Sequence, residues 1–381
     1  MTAVPTRPKM ELSTKVFIII AIVATIVIPL AHYVPSALMI GGPLYEKRVC
    51  AFYYTWYGNQ TAYYGESPGT ANIIVAWDES HPELDPPIWH HPDINPYDIA
   101  ASQHPDLNTS SLVLFDSCDP RAIRFHLDCA TLGGIDTFIC TWWSQDSLTN
   151  YNFRQVLNVT EMYNYTQRHT IYFETVQDRF YYNRTDGVTN VYNDLKYVIQ
   201  NYGNHSRFLR IGDRPVIFVY ATLSRVSVQN WTTVVQMLHA DGLNPFLIAD
   251  VGIRPIDPDL IPIFDGFHTY NSLGIFRDEP QNALALFETF VLSSRYNGKM
   301  ACTTTLPGYN DTSVRYGTPS LERQEGEVYK NSWDVATRSR CDWALICTFN
   351  EWHEGTEIEP SLENGTYYID MTRQYTQAFK A

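Results

Sequence analysis

RVCAFYYTWY (48–57) and GIDTFICTWW (134–143) are nearly continuous apolar runs, rich in β-branched and aromatic residues, and each ends on a cluster of rings. A half-buried strand alternates apolar with polar residues. A run that is apolar at almost every position belongs to a strand covered on both faces, as in a parallel sheet. Six more runs of this kind follow: HTIYFETV (169–176), RPVIFVY (214–220), PFLIADV (245–251), FDGFHTYN (264–271), KMACTTTL (299–306) and DWALICTFNEW (342–352). The stretches between them read as helices at 119–132, 151–168, 190–202, 226–240, 281–296 and 322–339, with a last one near 367–379. Residues 252–263 are too few for a full helix. Eight parallel strands alternating with helices predict an α/β fold, the (β/α)8 TIM barrel. A doubly wound open sheet is the structural alternative, but no G-x-G-x-x-G follows the first strand and no phosphate loop occurs. Residues 58–118 then form the first strand-to-helix loop. A loop that long, rich in Pro, Asp, His and Trp, is expected to be functional.

Composition narrows the partners. With 45% hydrophobic residues the chain can bury a large core, and its net charge of −14 lacks the basic stripe that nucleic acid requires. The 26 Tyr and 9 Trp supply amphipathic rings suited to sugar faces, although most such rings are ordinary core. Seven irregularly spaced cysteines without a C-x-x-C pair indicate neither a zinc ribbon nor a disulfide framework, and leave a single Cys118–Cys129 bridge open.

The N-terminus reads as an anchor. VFIIIAIVATIVIPLA (16–31) carries no charge, follows Arg7, Lys9 and Lys15, and is not followed by a good cleavage site. The expected organisation is a short cytoplasmic tail (1–15), a transmembrane signal-anchor (16–35), a linker (36–47) and a catalytic barrel (48–381). The basic flank puts the N-terminus in the cytoplasm and the barrel on the other side of a membrane. That side is a Golgi or ER lumen, or the cell surface, depending on the host. Sequons at Asn59, Asn108, Asn158, Asn164, Asn183, Asn204, Asn230, Asn310 and Asn364 fit that exposure, since chance would supply only about three.

Barrel sites gather at the C-terminal ends of the strands. Those ends carry Tyr54, Trp56 and Tyr57, then Trp142 and Trp143, then Glu174, Tyr270 and Tyr309, and last Asn350, Glu351, Trp352, His353 and Glu354. Glu351 and Glu354 in FNEWHEGTEIEP (349–360) form the densest chemical signal. Two carboxyl groups sharing one cleft raise each other's pKa, which favours one protonated acid beside one ionised base. Glycosidic cleavage needs such a pair. The competing reading is an exposed acidic loop, because Glu357, Glu359 and Glu363 continue the run. H-E-x-x-H is absent, since His353-Glu354 is followed by Gly355, Thr356 and Glu357, so no metal site is expected. His90 and His91 read as loop or sugar contacts.

AFYYTWYGN (51–59), WHHP (89–92), DPRAIRFHLDCATLGGIDTFICTWW (119–143), YFETVQDR (172–179), LPGYNDTSVR (306–315) and above all FNEWHEGTEIEP resemble glycoside hydrolase family 99, the endo-α-1,2-mannosidases. The resemblance spans roughly residues 48–360. It implies a retaining, endo-acting hydrolase of α-1,2-mannosidic bonds that needs no cofactor. Glu351 would be the base that deprotonates the substrate's own 2-hydroxyl, giving a 1,2-anhydro sugar, and Glu354 the general acid and then base. Glu174 and Tyr270 match positions that line the family's site. Tyr54, Trp56, Tyr57, His91, Trp142, Trp143, Tyr309, Asn350, Trp352 and His353 are expected around the glycan. Thr175-Val176 and Asn271 depart from the family pattern on the sugar-recognition side. Two alternatives remain: a related barrel glycosidase or glycan-assembly protein acting on another α-linked glycan, and a non-catalytic membrane receptor for sugars.

Overall fold

The computed structural model describes residues 44–57, 115, 117–175, 186–312, 315, 317–361 and 363–381. Its centre is a closed parallel barrel. The strands are β1 Arg48–Tyr53, β2 Thr137–Trp142, β3 Arg168–Glu174, β4 Arg210–Ile211, β5 Arg214–Tyr220, β6 Phe246–Asp250, β7 Gly266–His268, β8 Met300–Thr305 and β9 Trp343–Ile346. All but β4 pair in parallel. Closure comes from β3 beside β5, with Tyr172 opposite Phe218, and from β1 beside β9, with Val49 opposite Ala344. β4 is a two-residue antiparallel hairpin arm on β5, which no apolar run announces.

The helices are α1 Pro120–Gly133, α2 Leu148–Met162, α3 Gly187–Tyr202, α4 Val228–Ala240, α5 Leu273–Asp278, α6 Ala283–Tyr296, α7 Glu327–Arg338 and α8 Tyr367–Lys380. α1 begins where Asp119 accepts the amide of Arg121 and Pro120 occupies the first turn; both residues suit a helix start. Several boundaries differ from expectation, among them the start of α7 at Glu327 and the end of β1 at Tyr53. α2 starts at Leu148, because Ser147 accepts the amide of Asn150, and it stops at Met162, so residues 163–167 form a turn rather than a helical tail. β9 ends at Ile346. The remaining apolar residues of its run belong to a folded loop. Residues 252–263 hold only a single 3-10 turn at Pro258–Leu260.

The barrel interior is filled by rings. Phe52 lies 4.7 Å from Tyr172 and 5.8 Å from His268, and Phe218 lies 5.3 Å from His268, all fully buried. Each such ring contributes about 1.5–3 kcal/mol by leaving water. Above this plug Tyr270 packs edge-on to Phe52 at 5.0 Å, so the core forms the floor of the rim cleft. Cys129 is a buried thiol on α1, and the bridge to Cys118 is not formed. No helix among the described residues is long and apolar enough to cross a membrane, and residues 16–35 lie outside the described residues.

Candidate active site

The segment after β9 folds back on itself. The amides of Thr348 and Glu359 donate to Thr356 O (2.9 Å) and Phe349 O (2.8 Å), closing its base. Within it, Trp352–Glu354 form a single 3-10 turn, for which the Glu351 carboxylate is the N-cap, accepting the amide of His353 at 3.1 Å. The turn ends on Gly355 at φ 59, a left-handed conformation that glycine adopts without steric cost. A Cβ there would sit 3.2 Å from Asn310 O, so the close approach also favours glycine.

Glu351 and Glu354 are held by different partners. Glu351 is 2% exposed. Tyr57 Oη donates to its Oε1 at 3.4 Å, and His353 Nδ1 lies 3.4 Å from the same oxygen while its ring stacks on Tyr57. Glu354 keeps a side chain that is 15% exposed. It accepts Tyr270 Oη at 3.0 Å on Oε2 and Arg315 Nη1 at 3.2 Å on Oε1. Burial pushes its pKa up to about 7, and the Glu351 charge adds to the rise, while Arg315 and Tyr270 oppose it. The proton on Glu354 is therefore retained to near neutrality, as a general acid requires.

A third carboxyl group faces the same space. Glu174, at the end of β3, is pushed up to about 8, first by burial and then by the charges of Glu351 and Glu354; a hydrogen bond with Trp143 works against the rise. Around these acids stand rings. Tyr54 Oη donates to Tyr270 Oη at 2.6 Å, and Trp56 lies 4.4 Å from Tyr54 and 5.6 Å from Trp143, both indoles being partly exposed. On the far side of Tyr270 a cleft of about 510 Å³ runs past Tyr220, Thr222, Ser224, Asp250 and Gly252. Asp250 lines it but spends its carboxylate oxygens on the amides of Ala221 and Tyr270. Thr175, one of the departures from the family pattern, donates to Tyr220 O and Ala221 O and so ties β3 to this wall.

The structure thus brings Tyr54, Trp56, Tyr57, Trp143, Glu174, Tyr270, Glu351, His353 and Glu354 to one rim. Three expected contacts face inward instead. Trp142 is fully buried with Nε1 donating to Asn150 Oδ1 at 3.0 Å. Asn350 exchanges two hydrogen bonds with the Tyr54 backbone, joining the β9 loop to β1. Trp352 donates from Nε1 to Glu359 at 3.0 Å. With their surfaces covered and polar atoms spent, these three are built into the wall of the site. Tyr309 stands at the edge, its Oη donating to Asp311 at 2.8 Å beside Arg315. His91 lies outside the described residues, as do His90, Asn59, Asn108 and Asn183. Among the other sequons Asn158, Asn164 and Asn204 are exposed, whereas Asn310 lies against the segment after β9, its backbone amide donating to Glu354 O at 2.7 Å.

Sequence reasoning assigned no role to Arg315 or His126. Arg315 sits in a quoted motif, and a cation beside an acid pair is a signal of its own. His126 also sits in a quoted motif, but only as one polar residue on an otherwise apolar helix face. Of the acidic continuation, Glu357 and Glu359 are buried, at 1% and 3% exposed, and Glu363 is exposed. Among the described residues no three His, Cys, Asp or Glu side chains converge as a metal-holding group.

The family model described as Glycosyl hydrolase family 99 matches residues 44–379. Among curated proteins, the chain is 27% identical over 367 residues to the glycoprotein endo-alpha-1,2-mannosidase of Mus musculus, covering 86% of this chain and 74% of that protein. It is 26% identical to a glycoprotein endo-alpha-1,2-mannosidase-like protein of Danio rerio, covering 86% and 77%. Among solved structures, the GH99 endo-alpha-mannosidase of Bacteroides thetaiotaomicron superposes with a TM-score of 0.67 at 22% identity, covering 87% of this chain and 97% of that one.

Proposed function

This chain belongs to glycoside hydrolase family 99 and is a glycoside hydrolase, and on that premise we propose that it cleaves internal α-1,2-mannosidic bonds in mannose-containing glycans. The observation that carries the reading is the pair itself: Glu354 is held protonated to about 7 by burial and by a second carboxylate, Glu351, on the same short turn. The mannosidase names of the relatives supply the sugar.

The chemistry follows from the stereochemistry of mannose. In an α-mannoside the 2-hydroxyl and the leaving oxygen are both axial and anti to each other, so O2 attacks C1 in line as the bond to the leaving oxygen breaks. Glu351 takes the proton from O2, and Glu354 gives its proton to the departing oxygen. The product of this step is a 1,2-anhydro sugar and an alcohol. Glu354, now a carboxylate, takes a proton from water, whose oxygen attacks C1. The C1–O2 bond breaks and O2 recovers its proton from Glu351. Two inversions leave the configuration retained, by a substrate-assisted variant of two-carboxylate glycoside hydrolysis.

Because Glu354 serves the leaving oxygen, the leaving part of the glycan extends on its side, past Tyr270 towards Tyr220 and Ser224. The reacting sugar lies towards Glu174, Trp56 and Trp143. We further propose that residues 16–35 anchor the enzyme with its N-terminus cytoplasmic and its barrel extracytoplasmic; resistance of the full chain to alkaline extraction from membranes, with the barrel protected inside vesicles, tests that arrangement. The reaction is tested with the purified full chain and a 2-deoxy analogue of an α-1,2-mannoside. The expected result is no cleavage of the analogue and an α-configured first product from the parent. Efficient cleavage of the analogue overturns the 2-hydroxyl route.

A further inference from the structure

Glu359 is a carboxylate with no route to the cleft. Its side chain is wholly covered, and so is that of His126, which reaches it from α1. The three connections are short: Tyr53 Oη to His126 Nδ1 at 2.7 Å, His126 Nε2 to Glu359 Oε1 at 2.8 Å, and Trp352 Nε1 to Glu359 Oε2 at 3.0 Å. With the imidazole hydrogen on Nε2, each polar atom in the set has a partner of the right kind. Tyr53 donates to Nδ1, Nε2 donates to one carboxylate oxygen, and the indole donates to the other. Rings enclose the set: Phe115 lies 4.7 Å and Phe349 5.3 Å from His126.

A buried ionisable group of this kind is a poor source of stability, because desolvation offsets much of what its partners return. What it supplies is direction. A fully satisfied polar network admits one arrangement, whereas an apolar contact admits several. The end of this network is Trp352, the first residue of the 3-10 turn, flanked by Glu351 and two residues before Glu354. The Glu359 amide is also bonded to Phe349 O, so the relay and the base of the catalytic segment are fixed together.

We propose that Tyr53, His126 and Glu359 form a positioning relay that fixes the indole of Trp352 and thereby sets the working separation of Glu351 and Glu354. The relay touches no substrate and transfers no proton in the reaction. This inference rests on the reading of Glu351 and Glu354 as the reacting pair, and it adds to that reading three residues from β1, α1 and the segment's far end.

The test compares Glu359→Leu, Glu359→Gln and Trp352→Phe in the full chain with Thr376→Val, which loosens α8 from Gly133 O far from the turn. With an α-1,2-mannoside, Glu359→Leu and Trp352→Phe are expected to lower kcat by about ten- to a hundredfold with KM little changed, since displacement of a reacting group by about 1 Å costs on that order. Glu359→Gln retains an acceptor for the indole and is expected to recover most of the loss. The alkaline limb of the kcat profile reports the proton on Glu354, which faces Glu351, Glu174, Arg315 and Tyr270. In Glu359→Leu that limb is expected to move to lower pH, because a loosened turn admits water and separates the two charges. Thr376→Val is expected to lower the melting temperature without moving the limb. Unchanged kcat and an unmoved limb in Glu359→Leu overturn the proposal, as does a kcat loss matched by Thr376→Val at equal melting temperature. Should the wild type cut no α-mannoside, the functional reading fails on its own. Crystal structures of wild type and Glu359→Leu then decide the relay: a shifted Trp352–Glu354 turn supports it, and an unshifted one overturns it.

Discussion

Glu351 and Glu354 open the same segment that Glu357 and Glu359 close, and the two pairs are chemically identical in the sequence. In the folded chain they have opposite surroundings. The first pair faces a cleft, with hydroxyl donors and one exposed guanidinium, and Glu354 retains its proton to about 7. The second pair is clamped from behind. Arg323 reaches Glu357 Oε1 at 2.5 Å and also donates to the carbonyls of Gly355 and Glu357, while His126 and Trp352 hold Glu359. What separates the two pairs is therefore not residue type or spacing but what each oxygen is bonded to. Glu354 takes its donors from Tyr270 and the exposed Arg315, whereas Glu359 takes both of its donors from buried groups, His126 and Trp352.

Several substitutions sharpen this contrast. The largest effect is expected from Glu351→Gln and Glu354→Gln, each lowering kcat by about a thousandfold or more, as loss of a positioned acid or base does; single-turnover assays measure it. Next comes Glu357→Ala, which strands Arg323 in a nearly closed site and is expected to cost about 3 kcal/mol of stability, read as a lower melting temperature. Gly355→Ala forces a side chain into the left-handed region against Asn310 O and is expected to cost about 1–2 kcal/mol, with a drop in kcat from the shifted turn.

The smallest effects are shifts along the pH axis. Arg315→Gln removes a cation that holds the Glu354 pKa down, so the alkaline limb of kcat should move to higher pH. Stability has its own sign. Glu354 and Glu174 bind protons more tightly in the folded chain, up to about 7 and about 8, than at the ordinary 4.5. Over that window the folded state carries more protons than the unfolded one, so stability falls as pH rises. Glu354→Gln should therefore raise the melting temperature at pH 8, by about 3 °C, and leave it unchanged near pH 4. Thermal melts at the two pH values check this, and the contrast with Glu357→Ala separates a reacting acid from a clamped one.

The barrel was legible because both-face burial leaves a plain mark: RPVIFVY (214–220) coincides with β5 to the residue. Boundaries blurred where local polar chemistry decides them. Ser147 starts α2 earlier than apolar periodicity indicates, and β9 gives way to a loop whose Phe349 and Trp352 are as apolar as a strand. The site was partly legible. Strand ends pointed to Glu174, Tyr270 and the Glu351–Glu354 turn, since the fold dictates where strand ends gather. Trp142, Asn350 and Trp352 sit at the same sequence positions yet face inward, because which face a residue takes at a strand end depends on the bend that follows. His126 and Glu359 meet across 233 residues of sequence separation, and no local pattern records that meeting.

The most direct measurement sizes the products by mass spectrometry when the full chain is given α-1,2-linked manno-oligosaccharides carrying α-1,3 extensions. The wild type is predicted to release an intact disaccharide or longer fragment, and both Glu351→Gln and Glu354→Gln are predicted to release none. Wild-type glycans left whole, or trimmed one sugar at a time from an end, would contradict the account.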